Sequence, residues 1–230
     1  MEVATLEVVK KNEALRESLK DDYMISQIVS GGISQRINGP TVVIMIDPLG
    51  SPRWAPAYKD GASVVISKTR SYSSQSLDPK VKHYSRLNFV LAELEATDVD
   101  PGSLPLLLDL DGNVSESTGA NFFIVSDKRL LVPKTESTLQ GVSRLTVTEL
   151  AKSLSIPVIE TNIQPYDVYT ADEAFLCSTP YCILPVGKVD GRQIGDAVPG
   201  NITNQLLAAW SESIGLDIVD QTMKLGNKKN

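Results

Sequence analysis

Residues 108–144, LDLDGNVSESTGANFFIVSDKRLLVPKTESTLQGVSR, hold two features that could do chemistry together. One carboxylate, Glu116, stands among small polar residues, and the stretch closes on Gly141-Val142-Ser143-Arg144 at the start of a helical pattern. The first N–H groups of a helix lack intrahelical partners and carry partial positive charge, so with the Ser143 hydroxyl they suit a phosphate. Ser143 also reads as a plain N-cap residue. Glu116 reads as a fixed anion or as an exposed turn carboxylate. Joined by a hairpin, the pair suits a ligand with a cationic ring and a phosphate. Upstream, Lys82 follows Asp78-Pro79-Lys80-Val81 at a junction between a loop and a helix. A lysine there is a solvated charge, unless its surroundings depress its pKa and make it a Schiff-base nucleophile. His83 beside it reads as a satisfied or solvent-facing imidazole, or as a proton relay.

Composition removes other chemistries. With 22 basic against 28 acidic residues and a net charge of -6, a general nucleic-acid or anionic-membrane surface is not expected. A single histidine removes most metal sites and catalytic triads, and no G-x-S-x-G, P-loop or G-x-G-x-x-G sequence occurs. No apolar run reaches the roughly 20 residues that span a bilayer, and the charged start MEVATLEVVKKNEALRE lacks the apolar core of a signal peptide. Cys177 and Cys182 read as reduced thiols of a cytoplasmic protein, with a redox pair as the alternative.

The elements that must position these groups follow from periodicity. Residues 3–20 predict a helix, and 23–29, 41–46 and 62–66 predict strands. The Ser-rich run 70–76 is the expected linker, placing a small domain at 1–76 and a large one at 78–230. A helix over 84–97 carries Leu87, Val90, Leu91 and Leu94 as one apolar stripe, and a turn at Asp109–Asn113 follows a strand. Residues 121–125 and 130–132 form a hairpin, 143–154 and 201–214 helices, and 158–160, 173–178 and 183–189 strands. Strands and helices alternate without a regular βαβ beat, which predicts an α+β fold with mixed sheets.

Four segments in order, DPKVKHYSRLNFVLAELEA, LDLDGNVSESTGANFFIV, LVPKTESTLQGVSRLTVTELA and ADEAFLCSTPYCILPVGKVDGRQIGDAVPG, make the chain resemble the class IV, or fold-type IV, pyridoxal-phosphate enzymes. That family includes branched-chain and D-amino-acid aminotransferases, R-selective amine transaminases and aminodeoxychorismate lyase. The resemblance implies two α+β domains, the larger a pseudo-barrel that binds pyridoxal 5'-phosphate, in a homodimer. It implies amino transfer between an amino acid or primary amine and a keto acid, with the lyase reaction or a non-catalytic relative as alternatives. Lys82 stands where the family's cofactor-linking lysine stands, and Glu116 where a carboxylate pairs with the pyridine nitrogen. Val142 and Ser143 would hold the phosphate with the Thr179 hydroxyl. The chain departs from the family at three places. It opens inside the family's small domain, so an incomplete N-terminal domain is expected. Its first strand ends Ser30-Gly31-Gly32 without the arginine of a Thr-Arg-Gly-like sequence, leaving Arg36 or backbone groups to meet a carboxylate. Leu87 occupies the place of the tyrosine that branched-chain enzymes carry five residues after the lysine, a feature closer to the D-amino-acid enzymes.

Overall fold

A computed structural model describes residues 1–19, 22–32 and 39–227. By contacts the chain divides into two compact units, Met1–Arg53 with the C-terminal residues from Thr222, and Trp54–Gln221.

In the smaller unit the helix expected over 3–20 is two helices, α1 (Glu2–Lys11) and α2 (Glu13–Leu19). Asn12 breaks it: its Nδ2 donates to the Val8 carbonyl (2.8 Å) while its backbone turns to φ -108, ψ 11. A short amide side chain competes in this way for backbone acceptors. Strands β1 (Tyr23–Ser30) and β2 (Thr41–Pro48) pair antiparallel in register from Tyr23↔Pro48 to Ser30↔Thr41. Adjacent residues Met24 and Ile25, and Val42 and Val43, stay exposed, so both faces of the ribbon carry open apolar surface. A two-stranded ribbon is marginal by itself.

The larger unit begins with α3 (Ala55–Asp60) and β3 (Ala62–Ile66), followed by a long irregular segment to α4 (Leu87–Val99). Next come β4 (Leu104–Leu108), β5 (Val114–Ser117), β6 (Ala120–Ser126) and β7 (Arg129–Pro133). Helix α5 (Val142–Ser153), β8 (Val158–Thr161), α6 (Pro165–Tyr169), β9 (Glu173–Ser178), β10 (Cys182–Val189) and β11 (Arg192–Gln193) follow, then α7 (Asn201–Ile214) and α8 (Ile218–Asn227), whose residues from Thr222 belong to the smaller unit. One nine-stranded mixed sheet contains all strands of this unit. β10 pairs in parallel with β3, which pairs in parallel with β4; β4, β5 and β6 then run antiparallel, and β9 joins β6 back to β10. The path closes on itself, so these six strands form a ring, a pseudo-barrel extended by β7 and β8 on one side and β11 on the other.

Because β6 lies inside the sheet, its run Ala120–Val125 is buried residue after residue instead of alternating. Phe122, Phe123 and Phe175 fill the core, and the rings of Phe123 and Phe175 stack at 4.9 Å. Helices α5 and α7 cover β9 with Val147, Ala151, Leu206 and Leu207. Where α3 turns into β3, Gly61 sits at φ +76, and a Cβ there would come within 2.4 Å of the Gly187 nitrogen. Only glycine permits that approach of β3 to β10.

The segment expected to link two domains near 70–77 is instead tied to the larger sheet. Ser67 and Ser71 donate their N–H groups to the Leu106 and Leu108 carbonyls (3.0 and 2.9 Å), and the Glu95 carboxylate accepts from Lys68 and Thr69. The contact division falls earlier, at Arg53, because β3 is already a ring strand. Helix α4 turns its apolar stripe away from the sheet. Leu87, Val90, Leu91 and Leu94 all lie outward, whereas Phe89, Ala92 and Ala96 are buried. Small residues allow the helix to approach Leu107 of β4 closely, and Phe89 fills the gap beside Tyr72.

Candidate active site

A cavity of 310 Å³ opens in the larger unit, and Lys82, Glu116, Val142, Ser143 and Thr179 all line it. Five residues separated by almost a hundred positions in sequence thus share one space.

Glu116 comes from β5, a strand of four buried residues, Val-Ser-Glu-Ser, between β4 and β6. It is not the exposed turn carboxylate that local sequence allows: the residue is 8% exposed. Its Oε2 accepts the Leu139 N–H at 3.1 Å. Asn121 on β6 donates Nδ2 to the Leu139 carbonyl (2.8 Å), and the Ser115 hydroxyl donates to the Ser137 carbonyl (2.5 Å). Three neighbouring side chains of the β5–β6 hairpin therefore clamp the 137–141 loop. At its end a Cβ on Gly141 would lie 2.3 Å from Asn121 Oδ1, so any larger residue there would displace the Asn121 side chain that holds Leu139.

That loop delivers the start of α5 to the cavity. No side chain caps the helix, whose N-cap is Gly141, and the N–H groups of Val142, Ser143 and Arg144 precede the first intrahelical bond. Ser143 is therefore a helix residue, not the cap. The buried Arg144 holds the helix start in place, donating Nη2 to the Pro133 carbonyl (2.9 Å) and to Glu160 Oε2 (3.0 Å). On the opposite rim Ser178 donates its hydroxyl to the Gly119 carbonyl (2.6 Å), pinning the turn that carries the exposed Thr179.

Lys82 is exposed and lies in the irregular segment before α4. His83 packs edge-on against Tyr72 (5.1 Å between centroids), and its Nδ1 is enclosed without a hydrogen-bond partner. Arg86 also lines the cavity, its guanidinium 4.2 Å from the Phe89 ring centroid. Arg86 is not among the site residues expected from sequence, since an arginine at a helix start reads as surface charge; the aromatic residue three positions on is a local signal for it. Arg36, an alternative partner for a carboxylate, lies outside the described residues.

Electrostatics divide the cavity. Burial pushes the Glu116 carboxyl up to about 7, against the Leu139 N–H bond and the charges of Arg86, Lys82 and Arg144, which pull it down. Burial likewise raises the Cys177 thiol far above its ordinary range and Cys182 to about 11; both are free, and both are protonated at neutral pH.

A buried, immobilised anion, an uncapped helix start and a lysine on one cavity fit pyridoxal 5'-phosphate. The anion matches a protonated pyridine ring, the helix start a phosphate, and the lysine an aldehyde. The closed mixed ring carrying this cavity has the fold of the large domain of fold-type IV enzymes. The chain belongs to the amino-transferase class IV family, whose model matches residues 4–189, and enzymes of this class depend on pyridoxal phosphate. It is 33% identical over 189 residues to the branched-chain-amino-acid aminotransferase-like protein 2 of Arabidopsis thaliana, covering 80% of this chain and 33% of that protein. The crystal structure of Escherichia coli branched-chain amino acid aminotransferase superposes with a TM-score of 0.79 at 28% identity, over 93% of this chain and 69% of that one. The branched-chain amino acid aminotransferase of T.th., solved with pyridoxamine 5'-phosphate, gives 0.77 at 25% identity, over 88% and 72%. The chain thus spans a third of the plant relative's length.

Proposed function

We propose that this chain is a pyridoxal-phosphate-dependent aminotransferase that moves an amino group between an amino acid or primary amine and a keto acid. The observation that carries this reading is the meeting of Lys82, Glu116 and the uncapped start of α5 on one 310 Å³ cavity. When bound, pyridoxal phosphate supplies an electron sink for the pair left when the substrate's α-proton departs.

The chain's own residues do the rest. The Val142 and Ser143 N–H groups, with the Ser143 and Thr179 hydroxyls, hold the phosphate, and Arg144 keeps that helix start from shifting. The Glu116 carboxylate pairs with the protonated ring nitrogen, and the Leu139 N–H fixes its orientation. The Lys82 amine would hold the cofactor through its aldehyde and, when free, would serve as the base that takes the substrate's α-proton. Burial around Glu116 strengthens its pairing, because charges interact more strongly away from water.

Branched-chain amino acids are the first donors to test, since the two solved relatives are branched-chain amino acid aminotransferases; both enantiomers belong in the panel because Leu87 stands in place of the branched-chain tyrosine. The expected result is transfer from at least one such donor to 2-oxoglutarate by the cofactor-loaded protein. Pyruvate release from aminodeoxychorismate without amino transfer would instead assign the lyase reaction. Cofactor retention without either reaction would assign a non-catalytic relative.

A homodimer is part of the same reading, supported by the outward stripe Leu87, Val90, Leu91 and Leu94 on α4, an apolar face too continuous for open solvent. Replacing Leu91 and Leu94 by Asp is expected to halve the mass found by sedimentation equilibrium; an unchanged mass would place the interface elsewhere. A cytoplasmic location is also proposed, supported by the two free thiols.

A further inference from the structure

Among the described residues the charged side chains lining the cavity are Lys82, Arg86 and Glu116. On the proposed reading two of them have a partner in the cofactor. Lys82 meets the aldehyde, Glu116 meets the ring nitrogen, and the phosphate has the start of α5. Arg86 is left over.

Its setting is that of a binding group. The guanidinium lies on the Phe89 ring at 4.2 Å, and Phe89 in turn packs edge-on against Tyr72 at 6.1 Å. The Tyr72 hydroxyl donates to the Ser85 carbonyl (2.5 Å), next to Arg86 in sequence, so the platform and the arginine's own backbone are tied together. An aromatic face orients a guanidinium without using its N–H donors. Among the described residues those donors meet no carboxylate and no carbonyl. Arg144, the other arginine near Glu116, is by contrast spent on Pro133 and Glu160. A half-buried arginine held flat, unpaired and facing a cavity is suited to bidentate capture of a carboxylate.

We propose that Arg86 binds the substrate's carboxylate, so that the site selects amino acids and keto acids over amines that lack one. This rests on the aminotransferase reading above. The other oxyanions near the guanidinium are the Glu116 carboxylate, on which its charge already acts, and the cofactor phosphate, and the experiment separates the substrate from both.

Cofactor-loaded wild type, Arg86→Lys and Arg86→Gln are compared with leucine and with 3-methylbutylamine, the same donor without its carboxylate. Arg86→Gln is expected to raise KM for leucine about tenfold or more, with the amine's KM unchanged and Arg86→Lys in between. Calorimetric titration with 4-methylvaleric acid and its amide, on loaded and cofactor-free protein, reads the contact without turnover. The acid's advantage over the amide is expected in wild type and is lost in Arg86→Gln. Equal acid affinity in wild type and Arg86→Gln would overturn the proposal. So would a loss of pyridoxal-phosphate affinity in Arg86→Gln with pyridoxal affinity intact, which would assign the guanidinium to the phosphate. Arg86-dependent acid binding by a protein that retains no cofactor would sink the aminotransferase reading and leave the carboxylate site standing. Thermal melting and Arg86→Lys guard against misfolding, since the lysine keeps the charge on the same helix start.

Discussion

Lys82→Ala is expected to lower amino transfer about 10⁴-fold or more, to the background of the free cofactor. The same change is expected to leave stability within about 0.5 kcal/mol of wild type. The two halves come from different facts. In function, Lys82 is the only amine lining the cavity among the described residues, and no other basic side chain there can both bond an aldehyde and move a proton. In structure, the residue is exposed and makes no hydrogen bond or ion pair among the described residues. Its removal opens no void and strands no partner. Activity is read with the best donor found, stability by urea unfolding, and cofactor loading by Lys82-dependent absorbance. Partial rescue by a small primary amine added to Lys82→Ala is expected, because the missing group is an amine and not a scaffold. Wild-type turnover in this variant would remove Lys82 from the mechanism.

Glu116→Gln is expected to cost roughly 10²- to 10³-fold in transfer, the scale on which a preorganised charge at a reacting group acts. It is also expected to stabilise the cofactor-free protein at neutral and alkaline pH. The Glu116 carboxyl titrates near 7 when folded, chiefly because it is buried, against an ordinary 4.5. Between those values the folded chain holds a proton that the unfolded chain has lost. Wild-type stability therefore falls as pH rises from 4.5 toward 7, and stays lower above it, by about 3 kcal/mol in all. Glutamine has no such proton to lose, and its amide oxygen still accepts from Leu139. The difference in unfolding free energy, variant minus wild type, is expected to be near zero at pH 4.5 and to grow to about 3 kcal/mol by pH 8. Parallel stability curves would show that Glu116 is solvated when folded. The carboxylate is thus held at a cost to the empty fold, and a protonated ring at that point removes the cost.

Much of this architecture is legible in local sequence. Helix periodicity marks α5 and α7 within a residue of their ends. The Asp109–Asn113 turn forms as its residues require, with Asp109 Oδ1 accepting the N–H groups of Asp111 and Asn113. The start of α5, the proposed phosphate seat, is legible because its signal is also local: a glycine followed directly by a helical pattern.

Other features have no local signal. β5 carries a single large apolar residue in Val-Ser-Glu-Ser, so it reads as a turn, and it becomes a buried strand only because β4 and β6 flank it. Burial, not residue type, is what sets Glu116 apart from the other carboxylates among the described residues. The stripe on α4 is legible as a stripe, but periodicity gives an apolar side without saying what lies against it. There, close packing on Leu107 favoured the alanine face.

Residue type, spacing and four ordered segments by themselves determined the family, the α+β class and the five candidate cofactor residues. Tertiary structure alone decided that those five share a cavity, that Arg86 joins them unpaired, and that Glu116 is buried. The physical reason is ring closure. β10 meets β3 through Val186↔Ala62 and β6 meets β9 through Asn121↔Cys177, pairings far apart in sequence. No local pattern encodes which distant strand a given strand will bond, and the cavity exists only once the ring has closed.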